Sequence, residues 1–142
     1  MKRVLTDFNQ TELLDQSNAA WFLRGNDLAN LGNYAEALDS FDRAIALQPN
    51  DTAAWVFRAV MLIHLEQYSE ALESCDRAIA ISPDYSEAWT FRGVALHRLG
   101  RYQEAYASYD RAVGQDYLSP KARIRRWLKQ QFESLRQAWV NK

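Results

Sequence analysis

Three arginines, Arg24, Arg58 and Arg92, recur at one fixed interval, and three aspartates, Asp42, Asp76 and Asp110, recur at the same interval. Opposite charges in step suit ion pairing, because an unpaired guanidinium on the packing side of an element is costly. The spacing predicts a ladder of Arg–Asp pairs whose work is register and packing. The other reactive side chains are few. His64 and His97 have no cysteine pair nearby, so they supply no metal-ligand spacing. Cys75, the single cysteine, takes the slot held one period away by Phe41 and Tyr109, which marks it as a small core residue and not a nucleophile. Five scattered glycines form no phosphate-binding loop. The aspartates and glutamates recur on faces expected to be solvated, without converging as a pair. The expectation is a protein without catalysis, metal or cofactor.

The elements that hold these residues announce themselves by the same period. Trp21, Trp55 and Trp89 keep the interval of the arginines, and segments 18–51 and 52–85 are identical at 17 of 34 positions. A fixed period of roughly 20 to 50 residues is the mark of a stacked array, since one such unit cannot bury its apolar face alone. Within each period the apolar residues recur at helical spacing, break at a turn, and resume. In the first period, Trp21, Leu28 and Leu31 are followed by Gly32-Asn33, then by Tyr34, Ala37, Leu38, Phe41, Ala44, Ile45 and Leu47, with Pro49 closing the stripe. The pattern predicts helices over 18–31, 34–47, 52–65, 68–81, 86–99 and 102–115. Small residues share phases too: Gly25, Ala59 and Gly93 on the first helices, and Ala37, Ala71 and Ala105 on the second. Such positions let helices approach closely, with the tryptophans and residues 41, 75 and 109 filling the remaining volume.

The pattern W-x2-[LR]-[GA]-x2-L, then G-x-Y-x-E-A, then an aromatic, Ala and Pro resembles the tetratricopeptide repeat, a helix–turn–helix unit of about 34 residues. The resemblance covers residues 18–119 as three repeats, 18–51, 52–85 and 86–119. It implies an all-α fold, a right-handed α-solenoid. Departures are visible: the turn glycine is Glu66 in the second repeat, the closing proline position is Tyr117 in the third, and the usual leucine three residues after each tryptophan is arginine in all three. In the family the first helices line a concave groove that holds a peptide or a partner's helix. By phase, the groove here takes Phe22, Leu23, Asn26 and Asn30 from the first repeat. Val56, Phe57, Val60, Ile63 and His64 come from the second, and Thr90, Phe91, Val94, His97 and Arg98 from the third. Chaperone-binding members grip the carboxylates of an acidic tail with Lys, Asn and Arg. The corresponding positions here are Phe22, Asn26, Phe57, Glu87 and Phe91, of which only Asn26 fits, so clamping of acidic chaperone tails is not expected.

The ends of the array differ from its middle. Residues 1–17 do not match the repeat; Leu13 and Leu14 suit a short helix or an extension of the first one. The formal net charge of −1 hides an asymmetry, because residues 120–142 carry 7 basic and 1 acidic side chains. Ser119 can cap a helix and Pro120 suits its first position. Beyond it, Ile124, Trp127, Leu128, Phe132, Leu135 and Trp139 fall on one side and Arg125, Arg126, Lys129 and Arg136 on the other. This basic amphipathic helix is expected to cap the array, with an acidic membrane surface or acidic protein as the alternative contact. No run of residues is apolar enough for a membrane span. No signal-peptide core follows the basic start, and the lone cysteine fits a reducing compartment, so a cytoplasmic location is expected. Nucleic acid is not expected, because no reading motif accompanies the basic residues and the array is acidic. The function read from the chain is a protein-interaction adaptor or scaffold with a protein or peptide partner. The alternatives are a self-assembling module that forms a homo-oligomer, and peripheral attachment through the basic helix.

Overall fold

The computed structural model describes residues 17–114 and 120–141. Seven helices fill them: α1 (Asn18–Asn30), α2 (Tyr34–Leu47), α3 (Thr52–His64), α4 (Tyr68–Ile81), α5 (Ser86–Arg98), α6 (Tyr102–Val113) and α7 (Pro120–Val140). Among the described residues there is no strand, so the fold is all-α. The expected helix boundaries agree to within one residue for five helices and two for α6. The expected N-terminal extension, the Ser119 cap and Tyr117 lie outside the described residues. The chain divides into two compact units between Ala112 and Val113.

Local chemistry starts and stops the helices of the first unit. Ser17 Oγ accepts a hydrogen bond from the Ala20 N–H at 3.0 Å, and Asp51 Oδ1 accepts one from Ala54 N–H at 3.2 Å, satisfying donors that a helix start leaves open. Inside each repeat the turn requires a left-handed residue, and Gly32 (φ 79°) and Gly100 (φ 78°) supply it. Glu66 takes the same conformation at φ 61°, which costs a side chain with a Cβ about 1–2 kcal/mol.

Packing runs α1 on α2 and α3 on α4 within repeats, and α2 on α3 and α4 on α5 between them. The first helices α3 and α5 also touch directly, which places them on one side of the array. The core is built from size-matched pairs. Phe41 is fully buried, and a Cβ added to Gly25 would lie 2.8 Å from its ring. Gly93 faces the Tyr109 ring in the same way. In the middle repeat the ring is replaced by the fully buried Cys75, and there the small position carries the methyl of Ala59, also fully buried. Glycine thus stands where an aromatic ring needs the space, and alanine where it does not.

The second unit's helix, α7, is 21 residues long. Its apolar side chains Ile124, Trp127, Leu128, Phe132, Leu135 and Trp139 are all exposed, Trp139 to 83%. Arg125, Arg126, Lys129 and Arg136 are exposed as well.

Candidate functional site

The ion ladder has a register that the period alone does not reveal. Arg58 Nε lies 2.6 Å from Asp42 Oδ1, and Arg92 Nε lies 2.8 Å from Asp76 Oδ1. Each arginine therefore reaches back to the second helix of the preceding repeat. Its other arm stays at home: Arg58 Nη1 donates to Ser74 Oγ, and Arg92 Nη1 donates to Ser108 Oγ at 2.7 Å. Ser74 and Ser108 are buried, so the guanidinium satisfies hydroxyls that water cannot reach. Arg24 and Asp110, expected in the same ladder, make no ion pair among the described residues. The reason is geometric: in a register that reaches back one repeat, no preceding repeat supplies an acid to the first arginine and no following repeat supplies an arginine to the last aspartate.

The tryptophans belong to this packing. Trp55 Nε1 donates to the Pro49 carbonyl at 2.8 Å, and Trp89 Nε1 to the Pro83 carbonyl at 2.7 Å, each across a repeat boundary. Two guanidinium groups lie by each indole: Arg24 and Arg43 at 4.9 and 4.7 Å from the Trp21 ring, Arg58 and Arg77 at 5.9 Å from Trp55, and Arg92 and Arg111 at 5.8 and 4.8 Å from Trp89. The serines at 40, 74 and 108 and the arginines at 43, 77 and 111 keep the period of the tryptophans, so the signal for both was present in the chain.

The residues assigned to a groove divide in two. Leu23, Phe57 and Phe91 share one phase of the first helices, Asn26, Val60 and Val94 the next turn, and Asn30, His64 and Arg98 the one after. Leu23 is 62% exposed, Asn30, His64 and Arg98 are exposed, and Asn26, Phe57, Val60, Phe91 and Val94 are half-buried. This set forms a partly open face, apolar in its middle. Val56 does not belong to it: it is only 3% exposed and packs with Ala78 and Ala88, because its phase turns it into the α3–α4–α5 interface. Phe22 and Thr90 share that inward phase and are half-buried. The Phe22 ring meets Phe41 at 5.5 Å and Phe57 at 5.1 Å, both edge-on, so it braces Phe57 from behind. His64 stacks flat on Tyr34 at 4.1 Å, and His97, which is exposed, meets Tyr102 edge-on at 5.0 Å. Both histidines are thereby tied to the starts of second helices.

Burial pushes the Cys75 thiol up to about 12, with Asp76 adding to the rise and Arg92 opposing it. At neutral pH it carries no thiolate, which is the nucleophilic form. Burial is also the main cause that raises the Tyr109 hydroxyl. No helix among the described residues is long and apolar enough to cross a membrane.

Sequence models of the tetratricopeptide repeat match residues 22–86 and 62–124. No curated protein matches the chain by sequence. Among solved structures, the second such domain of Spaghetti (RPAP3), bound to the HSP90 peptide SRMEEVD, is 27% identical, with 73% of this chain and 96% of that one covered at a TM-score of 0.67. The first such domain of the human RPAP3 protein is 24% identical, with 84% and 94% covered and a TM-score of 0.69. MamA is 23% identical, with 69% of this chain and 57% of that one covered and a TM-score of 0.66. The latter two likenesses are likenesses of fold. The repeat period, six paired helices and two overlapping family matches agree: the chain belongs to the tetratricopeptide-repeat family and is a protein-interaction module of the all-α solenoid class.

Proposed function

We propose that this chain is a non-catalytic adaptor that receives a hydrophobic peptide segment or an amphipathic helix on the face of its first helices. The observation that carries the reading is the shared phase of Leu23, Phe57 and Phe91, exposed or half-buried on α1, α3 and α5 and flanked by Val60 and Val94. Apolar side chains spaced one repeat apart suit a ligand that runs across the repeats, as helix-in-groove recognition does. The RPAP3 domain holds an acidic peptide. Here three apolar side chains stand on the face and Glu87 lies in the first turn of α5, so a peptide with two carboxylates is disfavoured.

Affinity capture with the parent chain and with Phe57→Glu and Phe91→Glu tests the proposal, once circular dichroism shows that the variants fold. Val60→Lys, on the same face and without a ring in the core, guards against a folding artefact. Partners lost by all three support the face as the site, and partners retained by all three refute it. In a direct titration the SRMEEVD peptide should bind weakly and without dependence on these residues.

A second reading, peripheral attachment, is favoured by the exposed Trp127 and Trp139 on a helix bearing Arg125, Lys129 and Arg136. It requires salt-sensitive co-sedimentation with anionic vesicles that ends when residues 120–142 are removed.

A further inference from the structure

Among the described residues the ladder is open at both ends of the array. A closed rung joins three groups from two repeats: Arg58 with Asp42 and Ser74, and Arg92 with Asp76 and Ser108. At the start of the array the rung is incomplete. Arg24 is exposed and has swung onto Trp21, 4.9 Å from the ring, where Arg58 and Arg92 stand 5.9 and 5.8 Å from theirs. Ser40 Oγ donates instead to the Glu36 carbonyl at 3.2 Å. Leu28 is half-buried although Leu62 and Leu96, one and two periods on, are fully buried. Between α1 and α2 this leaves an open cleft of about 570 Å³, lined by Trp21, Arg24 and Leu28 on α1 and by Glu36, Ser40 and the Arg43–Asp39 ion pair on α2. In the second repeat the same place is covered by the preceding second helix, whose Leu38 packs against the cluster containing Leu62.

The complementary half stands on α6. Asp110 is exposed and has no ion-pair partner among the described residues, and Tyr106, in phase with Leu38 and Leu72, is 58% exposed. These two side chains occupy the positions from which Asp42 grips Arg58 and Leu38 covers Leu62. We infer that the cleft between α1 and α2 is the docking site for α6 of a second copy of this chain. Asp110 of one copy closes the rung of Arg24 in the next, and Tyr106 covers Leu28. Arg43 in the cleft is already paired with Asp39, so the charge left to match Asp110 is Arg24, and the contact is a further instance of an interface that the chain already makes between its own repeats. It is head-to-tail, joining unlike surfaces, so it propagates into open chains unless a rotation closes it. It uses neither Phe57 nor Phe91, and so it stands or falls separately from the adaptor reading.

Sedimentation velocity on the full chain, from about 1 µM to 1 mM, tests the inference. The parent's average mass should rise with concentration. Arg24→Glu places a carboxylate opposite Asp110, and Asp110→Arg a guanidinium opposite Arg24. Each should weaken association about tenfold or more. An equimolar mixture of the two should recover it, because each unlike pair of ends is again opposite in charge, and the double variant should recover it alone. Circular dichroism should report the parent's helicity for each variant, since both residues are exposed and neither has an ion pair among the described residues. A parent that stays monomeric throughout, or single variants that associate as the parent does, would overturn the inference. So would a mixture that fails to recover. An Asp110→Arg chain that is as monomeric as the parent but melts lower would place the carboxylate's partner within the same chain, and that result too would overturn it.

Discussion

Replacing each ladder arginine by methionine should separate closed rungs from the open one. Methionine keeps much of the apolar stem and removes the charge and its donors. At Arg58 the loss has two parts. The bond to the buried Ser74 hydroxyl contributes about 1.5 kcal/mol, the low end for a bond from a charged donor. Some is regained, since Ser74 can turn to its own helix as Ser40 does. The pair with Asp42 adds up to about 1 kcal/mol, discounted because Asp42 is 48% exposed and water screens it. The sum is about 1–2 kcal/mol for Arg58→Met, and similar for Arg92→Met. Arg24→Met, with no rung to lose, should stay within about 0.5 kcal/mol. Urea unfolding followed by helical circular dichroism at low micromolar protein measures all three, with unchanged m-values as the condition for comparison. A double-mutant cycle of Arg58→Met with Asp42→Asn should give a coupling of about 0.5–1 kcal/mol that shrinks in high salt. A cost at Arg24 equal to that at Arg58, or a coupling of zero, would refute the back-reaching register.

Gly25→Ala should destabilise by about 1–3 kcal/mol in thermal melts despite alanine's better helix propensity, because its methyl meets the Phe41 ring. Adding Phe41→Cys to it copies the Ala59–Cys75 pair, and the combined cost should fall below the sum of the two single costs. Glu66→Gly should stabilise by about 0.5–1 kcal/mol by relieving the positive φ, measured by the same melts. Cys75 has a folded pKa of about 12, raised from 9.0, so the neutral thiol is favoured by folding. Its contribution is complete below pH 9 and is lost as pH rises toward 12, at up to about 1.4 kcal/mol per pH unit. Stability measured over that range should fall more steeply for the parent than for Cys75→Ala, and a thiol reagent at pH 8 should label only unfolded chains.

The repeat, its helices and the residues of the ladder were readable because a fixed period carries phase directly. What phase does not carry is direction between neighbours. Arg58 and Asp42 are in step with every other Arg and Asp, and only the packing of α2 on α3 decides that the arginine reaches backward. Ser74 was as periodic as Arg58, but a serine on a helix has a ready local carbonyl and so advertises no need for a partner. Val56 was misplaced because it lies one residue from Phe57, a step of about 100° around the helix, enough to turn it from an open face into the α3–α4–α5 interface. The pairing of Gly25 with Phe41 and Ala59 with Cys75 was half visible: the small residues shared a phase, but their matching to ring volume needed the contact.

The backward reach of the arginines also gives the array an order in time. Asp42 precedes Arg58 by 16 residues, and Ser74 follows it by 16. As the chain is synthesised, the guanidinium of each closed rung emerges with its acid already present and its hydroxyl still to come. Each repeat after the first can therefore clip onto the finished one before its own second helix exists, and a chain interrupted between repeats leaves its last acid without a base while every base of a closed rung keeps its acid.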